Sequence, residues 1–594
     1  MNPDPSRRTT ASVLLFAALL LSAAPSAAQQ DATPDLRAIV ETEASDLAGV
    51  VSRYSADREA LLRRWEVAYS PARRERLRTF YEGWLRQLDG IDAEGLGLEG
   101  RIDYVLLDSE LRYRLELLER EDRLAADLQS LLPFIPRIAA LQEARRDLVR
   151  VDPREAAVAL QDLADEVDRL RSGLETALDA TSGEATVPSQ IVALRAVRAL
   201  SSIRRDLEGW YGHYAGYDPL FTWWTESPYS VADSVLSGYA EFVRERLVGV
   251  EDGGDEPIVG DPIGADGMRS DLEHEMIAYT PEELIAIGER EFAWCEAEMV
   301  RASRDMGFGD DWHAALEHVK TLHVDPGEQP DLVRDLAWEA VAFLQARDLL
   351  TIPALAEEVW RLEMMSPEMQ KIAPFFLGGE VIQVSFPTDG MAHEDKLMSM
   401  RANNVHFSRA TVHHELIPGH HLQGFMTRRY NPHRRAFGTP FWGEGWALYW
   451  EMRLWDMGFP ATPEDRMGML FWRKHRAARI IFSLKFHLGE MTPDEAIDFL
   501  VDGVGHERAS ATAEVRRSFN GSYSPLYQAA YMIGGMQIRA LHTELVESGW
   551  MTEREFHDAI LQGGPMPIEM VRARLTGETP SPDFGASWEF DEFN

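Results

Sequence analysis

Apolar residues recur at three- and four-residue intervals from residue 35 to 248, interleaved with Arg, Glu and Asp. That spacing predicts long amphipathic helices with little strand signal. A second, mostly helical run extends from Thr280 to about Met369. Four helix starts share one chemistry: Ser70-Pro71, Thr280-Pro281, Thr462-Pro463 and Thr492-Pro493. A hydroxyl can accept from free backbone N–H groups, and proline suits the first helical position because it needs no partner there. Acids follow directly in three of the four, facing the positive end of the helix dipole. One segment departs from the helical pattern. Glu380-Val381-Ile382-Gln383-Val384-Ser385-Phe386, bounded by Gly378-Gly379 and Pro387, predicts a small strand. The run Phe441-Trp442-Gly443-Glu444-Gly445-Trp446-Ala447-Leu448-Tyr449-Trp450-Glu451 has no strict alternation and no proline, which predicts a buried helix beginning near Gly443.

The glycine-rich stretch from Gly249 to Met268 is the clearest linker. Three regions follow: 1–28, a helical region 29–255, and a region 256–594 that carries the candidate chemistry described below. Arg7 and Arg8, the apolar run Ala11 to Leu21, and the small residues Ser26-Ala27-Ala28 make 1–28 a signal peptide. The run is too short for a membrane span, no other apolar stretch is long enough, and no cysteine directly follows the cleavage site. The mature chain is therefore expected to be periplasmic or secreted, with no stable membrane insertion. Cys295 is the only cysteine, which excludes an intramolecular disulfide and a cysteine-rich zinc site. The net charge of −38 disfavours nucleic acid and anionic membrane as partners, because phosphate binding needs clustered Lys and Arg.

The chemistry concentrates in His413-His414-Glu415-Leu416-Ile417-Pro418-Gly419-His420-His421. Zincin metalloproteases place two imidazoles one helical turn apart with a glutamate between them. The imidazoles hold the metal, and the carboxylate takes a proton from the attacking water. Here the second histidine comes two residues late. At about 100° per residue, His414 and His420 would stand about 240° apart on an unbroken helix and could not share an ion. Pro418-Gly419 resolves the conflict if those two residues bulge out, leaving an effective separation of four. Catalytic zinc usually takes a third protein ligand and keeps one position open. Glu444, 24 positions after His420, is the best candidate, and Glu451, two turns further on the same face, suits a carboxylate that orients a ligand imidazole.

HELIPGHHLQ followed by EGWALYWE resembles the large bacterial family known as domain of unknown function 885, which belongs with the gluzincin-like metallopeptidases. The segments Gly216–Trp224 and Pro525–Gly534 are similar to family segments as well, so the resemblance covers most of the mature chain. One departure is Pro-Leu-Tyr-Gln at 525–528, an apparent one-residue insertion. The resemblance implies a mainly α, large helical two-lobed fold around a deep cleft, with the small strand element next to the zinc helix. It implies a zinc hydrolase, expected to be a peptidase, with one Zn²⁺ per chain on His414, His420 and Glu444 and with Glu415 as general base. Tyr531 is the first choice as oxyanion donor, because the family-like segment places a tyrosine there; Tyr523 and Tyr527 lie nearby, and His487 is the second choice. Arg476 and Arg479 are candidates to hold the terminal carboxylate of a peptide substrate. The strand over Val381–Phe386 is expected to line the cleft and to pair with an extended substrate. Two other readings stand beside this one: a zinc hydrolase of another amide or ester, and an exported, non-catalytic metal-binding scaffold.

Overall fold

Each of the four hydroxyl–proline pairs begins a helix, and each hydroxyl accepts the backbone N–H three residues on. In the three threonine cases the acid three residues on reaches back to the threonine N–H, closing a reciprocal cap. The computed structural model describes Arg37, Ile39 and residues 45–179, 187–250, 257–370 and 376–591. The predicted signal peptide, 1–28, and residues 251–256 of the predicted linker lie outside the described residues. The chain is mainly helical, 72% helix and 2% strand. Among the described residues, no helix is long and apolar enough to cross a membrane.

The helices that matter below are α1 (Leu98–Leu128), α2 (Pro153–Asp179), α3 (Gln190–Tyr214), α4 (Pro219–Val243) and α5 (Pro281–Asp305). After the strands come α6 (Val405–Glu415), α7 (His420–Thr427), α8 (Pro440–Asp456), α9 (Pro463–Leu488), α10 (Arg508–Phe519) and α11 (Tyr527–His542). Two cores hold most of the chain. Helices α2, α3 and α4 bury one stripe each, including Leu160, Leu163, Val167, Leu200, Leu207, Leu236 and Tyr239, in a core shared with Leu128, Leu131, Phe134 and Ile138. A larger core joins residues 47–118 to residues 299–573 around Trp442, Trp446, Trp450 and Phe471.

The predicted strand is present as β2 (Val381–Val384), but it has a partner that periodicity did not reveal. β1 (Arg361–Met364) pairs with it in parallel, Arg361 opposite Val381 through Met364 opposite Val384. Arg-Leu-Glu-Met is a helix-favouring tetrapeptide, so its strand conformation comes from its neighbour rather than from its own propensity. Ile382 and Val384 pack with Val412 and Leu416, which seats the sheet directly against α6. On its other side β2 is bridged through Gln383 to Leu377. With Gln383 bonded there and β1 opposite, β2 has no free edge at its centre, which corrects the expectation that it pairs with substrate.

Candidate metal centre

Helix α6 starts where the Asn404 side chain accepts from the N–H groups of His406 and Phe407, and it ends at Glu415. Helix α7 begins at His420. Between them the hydrogen-bond ladder skips two residues. Gly419 N–H donates to the His413 carbonyl at 3.1 Å and Leu422 N–H to that of Leu416 at 3.2 Å, six residues back instead of four. The Pro-Gly insertion is thus looped out, and the two histidines return to one face. A Cβ on Gly419 would stand 2.7 Å from the His413 carbonyl oxygen and closer still to that of His414, so only glycine fits the return. The freed carbonyl of Pro418 accepts from Trp446 Nε1 at 2.8 Å, which ties the loop to α8 two residues beyond Glu444.

Helix α8 starts at Pro440, capped by Thr439, slightly earlier than its composition suggested. It crosses α11 at very short range. A Cβ on Gly445 would lie 2.6 Å from Gly534 backbone atoms, so glycine on glycine sets the approach. That crossing places Tyr527 and Tyr531 beside Glu444.

The result is a cluster. The ligand atoms of His414, His420 and Glu444 all lie within 4.8 Å of one another. Glu444 Oε2 stands 3.1 Å from His420 Nε2 and 3.6 Å from His414 Nε2. Ligands about 2.0–2.1 Å from a tetrahedral ion are about 3.3 Å apart, so both separations sit close to what zinc requires. Outer contacts fix two of the three groups. Glu451 Oε1 is 2.6 Å from His414 Nδ1, which keeps a proton there and leaves Nε2 facing the cluster. The Tyr527 hydroxyl donates to Glu444 Oε1, leaving Oε2 for the histidines. The donor set, two imidazole nitrogens and one carboxylate oxygen with outer partners on His414 and Glu444, fits zinc.

The electrostatics follow from this packing. Burial would lower the His414 imidazole, but its hydrogen bonds to Glu444 and Glu451 outweigh burial and raise it to about 9. Burial would raise the Glu444 carboxyl, but the facing charges of His420 and His414 hold it well below the usual range. Glu415 is outside the trio. Burial pushes its carboxyl up, opposed by His414 and His420.

The remaining predicted residues divide. Tyr531 is buried in the site, its ring stacked on that of His414 with centres 6.1 Å apart. The guanidinium carbons of Arg476 and Arg479 each lie 4.6 Å from the Tyr531 ring centre. Arg479 has a different partner from the one expected. It is buried, and its Nε donates to Glu514 Oε1 at 2.6 Å. Arg476 is buried as well, 3.8 Å from Glu451 Oε1. His487 is not brought to the cluster. It lies 11 residues beyond Arg476 on α9, about 16 Å along the axis, with its ring against Phe486 and Phe519. His413 and His421 point elsewhere, each about 2.7 Å from a backbone carbonyl, that of Arg409 and of Ala356. A cavity of about 970 Å³ opens away from the cluster, walled by Asp108, Tyr113, His274 and Phe584 among others. Tyr527 is the contact that sequence reasoning underrated. Its signal was the four-residue spacing to Tyr531, which puts both on one face of α11.

Solved structures share this fold at low identity. A protein from Shewanella oneidensis described as a "putative lipoprotein of unknown function" superposes with a TM-score of 0.64 at 18% identity, covering 90% of this chain and 100% of that one. A "putative lipoprotein" from Colwellia psychrerythraea gives a TM-score of 0.55 at 17% identity, covering 89% and 98%. No curated protein matches the chain. The sequence model of the family "Bacterial protein of unknown function (DUF885)" matches residues 48–575, which include the cluster and all but Leu47 of the two cores, and the chain belongs to that family.

Proposed function

We propose that the protein is an exported zinc-dependent hydrolase, and specifically a metallopeptidase working in a cleft between two helical lobes. The observation that carries this reading is the convergence of His414 Nε2, His420 Nε2 and Glu444 Oε2 with the Glu415 carboxylate left outside the trio. A purely structural metal site needs no spare carboxylate, so Glu415 favours a hydrolase over a scaffold. The lipoprotein descriptions of the two solved relatives support export, to the periplasm or beyond.

Zinc bound by the trio would acidify a water molecule and polarise a carbonyl. Glu415 accepts the proton of the attacking water and passes it to the leaving amine; burial favours its protonated form, which suits a group that must hold a proton between two steps. Glu451 keeps the proton on His414 Nδ1. Tyr531 is held protonated by burial and donates to the developing oxyanion, adding no fixed charge beside the metal.

The test is metal analysis of the purified protein together with turnover of a mixed peptide library by wild type and Glu415→Gln. One zinc per chain in both proteins, with turnover reduced about 10²–10⁴-fold in the variant, is the expected result. Near wild-type turnover in Glu415→Gln removes it as the base. Cleavage of esters or other amides but not of peptides transfers the site to a different hydrolase class.

A further inference from the structure

Gly378 carries no side chain where the backbone does not demand glycine. Gly379 beside it has a φ of +120°, a region that favours glycine, whereas Gly378 has no such constraint. Space is the constraint instead. A Cβ built on Gly378 would lie 2.7 Å from Glu415 Cβ and 2.8 Å from Glu415 Cα, and it would overlap the Glu415 Oε2 oxygen. No rotamer of Glu415 moves its own Cα or Cβ, so the conflict can be relieved only by moving backbone.

The surrounding contacts resist that movement. Leu377 exchanges two backbone hydrogen bonds with Gln383, at 2.8 and 3.0 Å, and Gly379 N–H donates to the Glu415 carbonyl at 3.3 Å. The strand on which Gln383 sits packs through Ile382 and Val384 against Val412 and Leu416, on and just beyond α6. The turn and the end of α6 therefore form one unit, with the bare α-carbon pressed on the glutamate. We propose that Gly378 is a positioning residue for Glu415: the absent side chain is the space in which the carboxylate rests, held where it faces His414, His420 and Glu444. The inference rests on Glu415 as the general base. It is separable from that reading because the position of the carboxylate can be observed whether or not any peptide is cleaved.

The test is Gly378→Ala, with Gly390→Ala as control, since nothing lies within 4 Å of the Cβ position of Gly390. In a crystal structure of Gly378→Ala the Glu415 carboxylate is displaced from its wild-type position, and zinc content is unchanged. Turnover falls about 10²-fold or more, and adding the change to Glu415→Gln lowers the residual rate no further, because the effect runs through Glu415. Gly390→Ala retains wild-type zinc and turnover. If Gly378→Ala does not fold, a crystal structure of the wild type decides: the Glu415 carboxylate lies against the Gly378 α-carbon. A Glu415 carboxylate that stays in place overturns the proposal. So does a further loss of rate in the Glu415→Gln background, loss of zinc, or a wild-type Glu415 carboxylate turned away from Gly378.

Discussion

Helices α2 and α9 are nearly the same length and face opposite problems. Of the 27 residues of α2 only Ala156, Leu160, Leu163, Ala164 and Val167 are buried, a single stripe backed by solvent. Of the 26 residues of α9, 21 are buried, among them Arg473, Lys474, His475, Arg476 and Arg479. Burying a charge without a partner costs far more than an apolar side chain returns, so α9 exists in this form only because acids reach it from other helices. Arg473 meets Glu291 of α5 at 2.9 Å, and Arg479 meets Glu514 of α10 at 2.6 Å. The first helix is held by a pattern; the second is held by specific pairs, one of which, Arg479 with Glu514, stands beside Tyr531 of the candidate metal centre.

Removing one member of a pair should therefore have the largest effect on stability. Glu514→Ala strands Arg479 and is expected to destabilise by about 3–5 kcal/mol in denaturant unfolding. Leu160→Ala in the α2 stripe should cost about 2–5 kcal/mol by the cavity it leaves, with the metal centre intact in the remaining folded protein. If Glu514→Ala costs less than about 1 kcal/mol, the contrast between the two helices fails.

Next in size is Tyr531→Phe, which keeps the ring stacked on His414 and removes the hydroxyl. The expected result is a roughly 10²-fold fall in kcat with KM and zinc content little changed. An unaltered kcat removes Tyr531 from the mechanism, and the placement of His487 leaves Tyr527 as the residue to test after it.

Acid should separate the two regions further. Burial holds the His506 and His557 imidazoles at about 3, below the ordinary 6.5. A group that resists protonation in the folded state contributes stability above its unfolded value, and that contribution is lost as pH falls from about 6.5 toward 3. Glu553 acts in the same direction at lower pH, because its hydrogen bond to His542 outweighs burial and holds it at about 2. Helices α2 to α4 contain one histidine, His213, which is exposed. Amide exchange between pH 6.5 and 4.5 should show weakened protection around His506 and His557, on the order of 2 kcal/mol, before α2 to α4 respond. Equal loss in both regions would contradict this account.

The smallest effect is expected at Arg204→Ala. Its 3.0 Å pair with Asp233 joins α3 to α4 with both side chains about one-third exposed. Such pairs contribute about 0–1 kcal/mol and weaken with salt, so a change above about 1.5 kcal/mol would mean that this region too depends on specific ion pairs.

The same contrast explains what was legible in the sequence. Helix starts are local, so a hydroxyl before Pro71, Pro281, Pro463 or Pro493 was enough to locate them. The looped-out Pro418-Gly419 was legible because two late histidines and a proline admit few geometries. Glu451 was legible as a partner of a ligand from its seven-residue spacing to Glu444. What stayed hidden depends on pairs distant in sequence. β1 takes its conformation from β2, and the pairing of Arg479 with Glu514 spans 35 residues. Gly378 read as a strand boundary, since nothing local to it names Glu415 as the neighbour.

The central claim is that His414, His420 and Glu444 hold one zinc while Glu415 stands free beside it. Its most direct test is zinc stoichiometry by mass spectrometry of the wild type, His420→Ala and Glu415→Gln after identical purification and dialysis. The account predicts about one zinc per chain in wild type and Glu415→Gln, and loss of zinc in His420→Ala. Zinc retained in full by His420→Ala, or absent from the wild type after zinc is supplied, would contradict it.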